Sequence, residues 1–143
     1  MLDESRSNIY DYLYGLLYDV VTRNVYCIEP PQDLTESDTN DGFVVIKVGD
    51  IMDESEFKCE AYAWVRCYIR AFIPPMSRGR YRRDEFESFE RAINAIIDSA
   101  MLHPTSKYNI RQGSVLSHDG TAATNGNNFY HTYDKSFIIE ISE

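Results

Sequence analysis

The sequence predicts an α+β domain: a mainly antiparallel sheet with two principal helices packed on it, in the order helix, strand pair, helix, strand pair. Segments 7–22 and 84–102 carry apolar residues at helical spacing. Segments 43–50, 57–72, 108–117 and 127–143 are rich in β-branched and aromatic residues. A short turn joins 43–50 to 57–72, and a hairpin loop joins the last two, which favours antiparallel pairing of strands that are neighbours in sequence. A chain of 143 residues is long enough to bury a real core, and 1–143 reads as a single domain.

In the first helix, 7–22, Ser7 stands at the N-cap, and Ile9, Leu13, Leu16, Leu17 and Val20 form an apolar stripe. Tyr10, Tyr14, Tyr18 and Val21 lie beside it, so this helix is expected to contact both its own sheet and a neighbour. After a short extended piece, Pro30-Pro31 opens a polar, acidic loop over 32–42. "FVVIKVGD" is the next strand, and the turn segment "IMDESE" leads into the long strand 57–72, "FKCEAYAWVRCYIRAF". Alternate residues of a strand face opposite ways. Phe57, Cys59, Ala61, Ala63, Val65, Cys67, Ile69 and Ala71 therefore make an apolar face. Tyr62, Trp64, Arg66, Tyr68, Arg70 and Phe72 make an aromatic, arginine-studded one. Pro74-Pro75 stops the strand, and a basic loop, 76–83, follows. Asp84 and Glu87 fit a capping box for helix 84–102, whose inner face is Phe86, Phe89, Ile93, Ile96, Ile97 and Ala100. The closing strands flank a glycine- and asparagine-rich hairpin loop at 118–128, long enough to move, and Phe137, Ile139 and Ile141 point inward.

Composition narrows the function. A hydrophobic content of 43% argues against wholesale disorder, and the net charge of -9 disfavours a generic coat on nucleic acid. Cys59 and Cys67 are roughly 26 Å apart on a straight strand, too far for a disulfide. The odd cysteine count and the absence of a secretory signal predict a reducing compartment. No apolar run approaches a membrane span, so the chain is expected to be soluble.

A search for chemistry finds little. Ser117, His118 and Asp119 are the residue types of a hydrolase triad, but consecutive residues do not converge on one atom. His103, His118 and His131 lack zinc spacing, and "DLTESDTNDG" lacks calcium-loop spacing. No catalytic residue, metal site or cofactor is expected. Two other features stand out. Trp, Tyr and Arg on the even face of 57–72 are the types that dominate interface energetics. Arg78, Arg80, Arg82 and Arg83 gather in an otherwise acidic chain and could meet acidic groups or phosphate.

The layout resembles the tail-completion, or tail-terminator, proteins at the neck of tailed bacteriophages. The resemblance lies in "IYDYLYGLLYDV", "FVVIKVGD", the long outward strand, "FESFERAINAIIDSA" and the terminal "FYHTYDKSFIIEIS". It implies a non-enzymatic virion protein made in the bacterial cytoplasm. Such proteins form a ring, most often a hexamer, that joins or terminates the tail at the head connector. Its partners would be copies of itself, the tail tube protein and other neck proteins, with packaged DNA passing through the lumen without specific binding. On this reading Tyr62, Trp64, Arg66, Tyr68 and Arg70 contact the adjacent subunit. Arg78, Arg80, Arg82 and Arg83 meet a neighbour's Asp33, Glu36, Asp38 and Asp41 in a head-to-tail contact. The alternatives are a small adaptor domain that uses the same aromatic face and, further off, a hydrolase or nuclease centred on His118 and His131.

Overall fold

The computed structural model describes residues 5–18, 23–54, 63–74, 83–123 and 129–142, and they adopt the α+β arrangement that the pattern predicts. Helix α1 (Arg6–Tyr18) leads to strand β1 (Asn24–Cys27), short helix α2 (Glu36–Asp41), and strands β2 (Phe43–Val48) and β3 (Met52–Asp53). Strand β4 (Ala63–Ile73) precedes the long helix α3 (Arg83–Leu102), and β5 (Tyr108–Ile110), β6 (Leu116–Ala123) and β7 (Phe129–Ile141) follow. Among the described residues the strands form one sheet in the order β1-β2-β4-β7-β5, with β3 paired to β4 and β6 to β7. Only the β1–β2 pair is parallel among these.

The spine is the antiparallel pair β4–β7, in register from Ala63 opposite Ile141 to Ile73 opposite His131. Each spine strand shares its outer edge between two others. β2 and then β3 line β4, while β6 and then β5 line β7. Both long helices lie on one face of this sheet. Ala63, Val65, Cys67, Ile69, Ala71 and Ile73 of β4 are buried there with Phe137, Ile139 and Ile141 of β7. Helix α3 contributes Phe86, Phe89, Ile93, Ile96, Ile97 and Ala100, and α1 contributes Ile9, Leu13 and Leu17. Small residues on the central strand leave room for bulky ones on the helices, so the layers interdigitate. Burial pushes the Cys67 thiol up to about 12, so it is a protonated space-filler there.

Tyrosines on α1 divide between the layers. The Tyr10 hydroxyl accepts the Val48 N–H at 2.9 Å, ending β2, and the Tyr12 ring lies 4.7 Å from that of Tyr108. Tyr14 and Tyr18 stack on each other and stay exposed. On the helix side of β7 the alternation also turns Lys135 inward. Its ammonium donates to Asn94 Oδ1 at 2.5 Å and Ser117 Oγ at 3.2 Å, and the Tyr133 hydroxyl reaches the same two oxygens. This polar node closes the junction of α3 with β6 and β7, and its hydrogen bonds offset the desolvation of the ammonium.

Several expected boundaries move. Residues 32–42 are not all loop: α2 forms there, under a capping box in which Thr35 accepts from the Asp38 N–H and the Asp38 side chain accepts from the Thr35 N–H. The capping box expected at Asp84 is absent from its place. Helix α3 already begins at Arg83, and Asp84 and Glu85 sit in its first turn, where negative charge suits the macrodipole. The strand expected over 108–117 is split by a turn. Ser114 Oγ donates to the Arg111 carbonyl at 2.6 Å and accepts the Ile138 N–H at 3.0 Å, so β7 itself holds the break. Strand β6 then runs through 118–123, within the expected hairpin loop 118–128; residues 124–128 lie outside the described residues. So do 19–22 of the first helix, 57–62 of the long strand and 76–82 of the basic loop.

Gly42 links α2 to β2 at φ 86° and ψ -178°, a backbone region open to glycine alone. A Cβ there would overlap the Phe72 carbonyl oxygen, whereas Gly113, at φ 83°, has open space around it. Gly42→Ala should therefore cost about 2–4 kcal/mol, against about 1–2 kcal/mol for Gly113→Ala. Urea unfolding of both variants measures the difference, and equal losses would show that the overlap is relieved without cost.

Candidate protein-binding face

With both long helices on one side, the other side of the sheet is covered unevenly. On β4 that side carries Trp64, Arg66, Tyr68, Arg70 and Phe72. Strand registers place Phe43, Val45 and Lys47 of β2 beside them, and Thr132, Asp134, Ser136, Ile138 and Glu140 of β7 on the opposite flank. The sequence expectation that this face is separate from the main core is correct for Trp64, Arg66, Tyr68 and Arg70. Phe72 differs, because it is buried in a second cluster.

That cluster seals one end of the face. Phe72 stacks on Phe43 at 4.6 Å, and Tyr130 meets both edge-on, at 5.4 Å from Phe43 and 5.9 Å from Phe72. Leu34 and Tyr26 pack around them. Asp38, fully buried, ties this cap to the sheet. One carboxylate oxygen accepts the Tyr26 hydroxyl at 2.6 Å and the Thr35 N–H at 3.1 Å; the other accepts the Asn24 amide at 2.9 Å. Burial alone would raise the Asp38 pKa. The hydrogen bonds from Tyr26, Asn24 and Thr35 outweigh it and hold the carboxyl below its ordinary value. Burial, reinforced by the bond to Asp38, pushes the Tyr26 phenol up to about 12.

The middle of the face is open. A groove of about 600 Å³ runs over Val45, Lys47, Tyr68 and Arg70, walled by Ile28 and Pro30. At its floor Arg70 grips Asp134 through two hydrogen bonds, of 2.6 and 2.8 Å. Tyr68 is 42% exposed beside them. Among the described residues neither the Lys47 nor the Arg66 side chain has a hydrogen-bond or ion-pair partner, so both cations flank Tyr68 uncompensated. The wall is strained. Ile28 has φ 79°, an uncommon conformation for a β-branched residue, and the Glu29 N–H closes a γ-turn on the Cys27 carbonyl at 3.0 Å. The result is an isoleucine held 58% exposed at the groove's rim. Strained backbone of this kind persists only where surrounding structure imposes it. Here the Ile28 N–H is held by the Ile46 carbonyl at 2.7 Å.

At the far end Trp64 is half-buried under the Arg111 guanidinium, which lies 5.8 Å from its ring and also reaches Glu140. Met52 stands exposed opposite Trp64.

The other residues singled out in the sequence scatter. Tyr62, Arg78, Arg80 and Arg82 lie outside the described residues. Arg83 starts α3 on the opposite side of the sheet and pairs with Glu87 at 3.0 Å. Asp33, Glu36 and Asp41 are exposed on the segment capping the open face. Asp38 is the correction: it was expected to meet a neighbour's arginines, but it is turned inward and spent on its own chain. The signal was in the sequence, since Thr35 and Asp38 have capping-box spacing. His118 faces the open side opposite Asp134, while His131 faces the helix side, so a catalytic centre built on both has no common surface. Lys47 and Ile28 were missed, because strand alternation in a neighbouring segment and a γ-turn bring them to the groove. The sequence matches no protein-family model and no curated protein.

Asp38 sets an acid limit. A carboxyl whose folded pKa is depressed contributes stability that is fully present above its unfolded pKa and is lost as pH falls through the folded value. Asp38→Asn should therefore cost about 2–4 kcal/mol near neutral pH and flatten the loss of stability on acidification. Urea midpoints from pH 7 down to pH 3 measure it, and an unchanged acid limb would assign the effect to other carboxyls.

Proposed function

We propose that this chain is a structural assembly subunit whose open sheet face is covered by another protein in the working state. The observation that carries the reading is the exposed Tyr68, flanked by Lys47, Arg66 and Arg70 on a face that neither long helix covers. A large exposed aromatic gains when a partner excludes water from it, provided that the partner also brings acceptors for Lys47 and Arg66; Arg70 is already held by Asp134. The resemblance in element order to tail-completion proteins supports the specific form of the proposal. That form is a virion protein of a tailed phage, in a homo-oligomeric neck ring between tail tube and head connector, with DNA passing through without specific contact. The interface rests on Trp64, Arg66, Tyr68 and Arg70 with the adjoining groove. The pocket walled by Ile28 and Pro30 favours a second reading, an adaptor that seats an extended segment of another protein.

Tyr68→Ala should change folding stability by no more than about 0.5 kcal/mol, as an exposed substitution, yet weaken assembly by about 2 kcal/mol. Light scattering of the chain, alone and with a tail tube protein, measures assembly. A particle of ring size that Tyr68→Ala disperses supports the proposal. Strict monomers under both conditions would defeat it.

A further inference from the structure

The open face carries an acidic segment at one end and two cations, Lys47 and Arg66, in its middle and beyond. The capping segment presents Asp33, Glu36 and Asp41 as exposed carboxylates without ion-pair partners among the described residues. Its Leu34–Asp38 part lies on the open side, since Leu34 packs against the Phe43–Phe72 cluster and Asp38 against Tyr26. Asp41 sits at the end of the sheet, its carbonyl accepting from Arg23, whose guanidinium lies over Phe89 of the helix layer. Lys47, level with Tyr68 in the groove, and Arg66, two residues further along β4, stand away from that segment, their side chains without partners among the described residues. From Phe72 to Arg66 along β4 is roughly 20 Å at the rise of an extended strand. Between the acidic segment and Arg66 lie Arg70, Tyr68 and the groove that Lys47 lines, with Ile28 held out at its rim.

From this layout we infer that two copies of the chain pair face to face about a two-fold axis, the acidic end of each covering Lys47 and Arg66 of the other. A head-to-tail contact needs complementary patches on different sides of the molecule. Complementary patches on one side, separated along it, become self-complementary when the second copy is turned over. The chain carries net charge -9, so two copies repel at long range, and a specific pairing needs local compensation of the kind these patches supply. Burying Tyr68 and Ile28 at the centre supplies the apolar part, and the charged patches lie around it. The inference rests on the reading that this face is the assembly surface. Because the pair hides the same Tyr68 that a ring would use, pair and ring exclude each other, and the pair is the unassembled form.

A charge exchange tests it, using the full chain. Sedimentation equilibrium of the unmodified protein should show dimers that dissociate as ionic strength rises. Lys47→Glu combined with Arg66→Glu should weaken pairing at least tenfold, and Asp33→Lys combined with Glu36→Lys should do the same. Mixing the two variants should restore a one-to-one dimer, since each then offers the other a complementary face at both ends. Circular dichroism checks folding, and Lys47→Glu alone, at an exposed position, serves if the Arg66 change disturbs the sheet. A dimer that survives both sets of substitutions, or variants that do not rescue each other, overturns the inference. Lys47-dependent capture of a poly-glutamate peptide or single-stranded oligonucleotide by a strictly monomeric protein overturns it too and names a different occupant. A ring that forms with tail tube protein from monomers would sink the pair and leave the assembly reading standing. No association under any condition would sink both.

Discussion

Everything in this molecule hangs on the pairing of β4 with β7. Their register, held from Ala63–Ile141 to Ile73–His131, decides which side of every other strand faces the helices. A slip of one residue would turn Val65, Cys67 and Ile69 to the open side and drive Trp64, Arg66, Tyr68 and Arg70 under α3, where the two guanidiniums would be desolvated without carboxylates. The apolar demand of one face thus fixes the composition of the other. The aromatic, basic surface is what remains after the core has taken its own residues.

The two sides of the sheet are closed by different physics. On the helix side, α1 and α3 remove apolar area from water over most of the sheet, and the Lys135–Asn94–Ser117–Tyr133 node is the polar exception within that layer. On the open side a small aromatic stack covers one end only, and a single buried carboxylate fastens the covering segment. Asp38 works because its donors come from separate places: β1 supplies Asn24 and Tyr26, and the helix cap supplies Thr35. The carboxylate thereby joins the sheet edge to α2 and orients the segment that carries Asp33, Glu36 and Asp41. Internal structure and outward charge are linked at that point.

The proposed assembly role follows from what neither mechanism covers. A groove with a strained isoleucine at its rim, a tyrosine beside it and two uncompensated cations is poorly satisfied by water alone. The second copy proposed to fill it would supply both missing components, carboxylates for the cations and apolar area for Tyr68 and Ile28.

Much of the fold was legible in the sequence, because periodicity is a local property. Helical spacing located α1 and α3, and alternation in 63–73 separated a core face from an outward one before any partner strand was known. The α+β class followed. Other features needed the tertiary structure, and each for a non-local reason. Residues 32–42 look like a solvated acidic loop until β1 brings Asn24 and Tyr26 to the Asp38 carboxylate and β7 brings Tyr130 to its carbonyl, at which point the carboxylate is worth more inside than out. The split between β5 and β6 depends on Ser114 bonding to Ile138, a partner distant in sequence. Alternation alone could divide the open face from the core. Only packing could decide that Phe72 is sealed while Tyr68 is bare, and that Lys47, Arg66 and the acidic segment share one side of the sheet. Charge placement in three dimensions is set by strand order and register, and neither is encoded in any one segment.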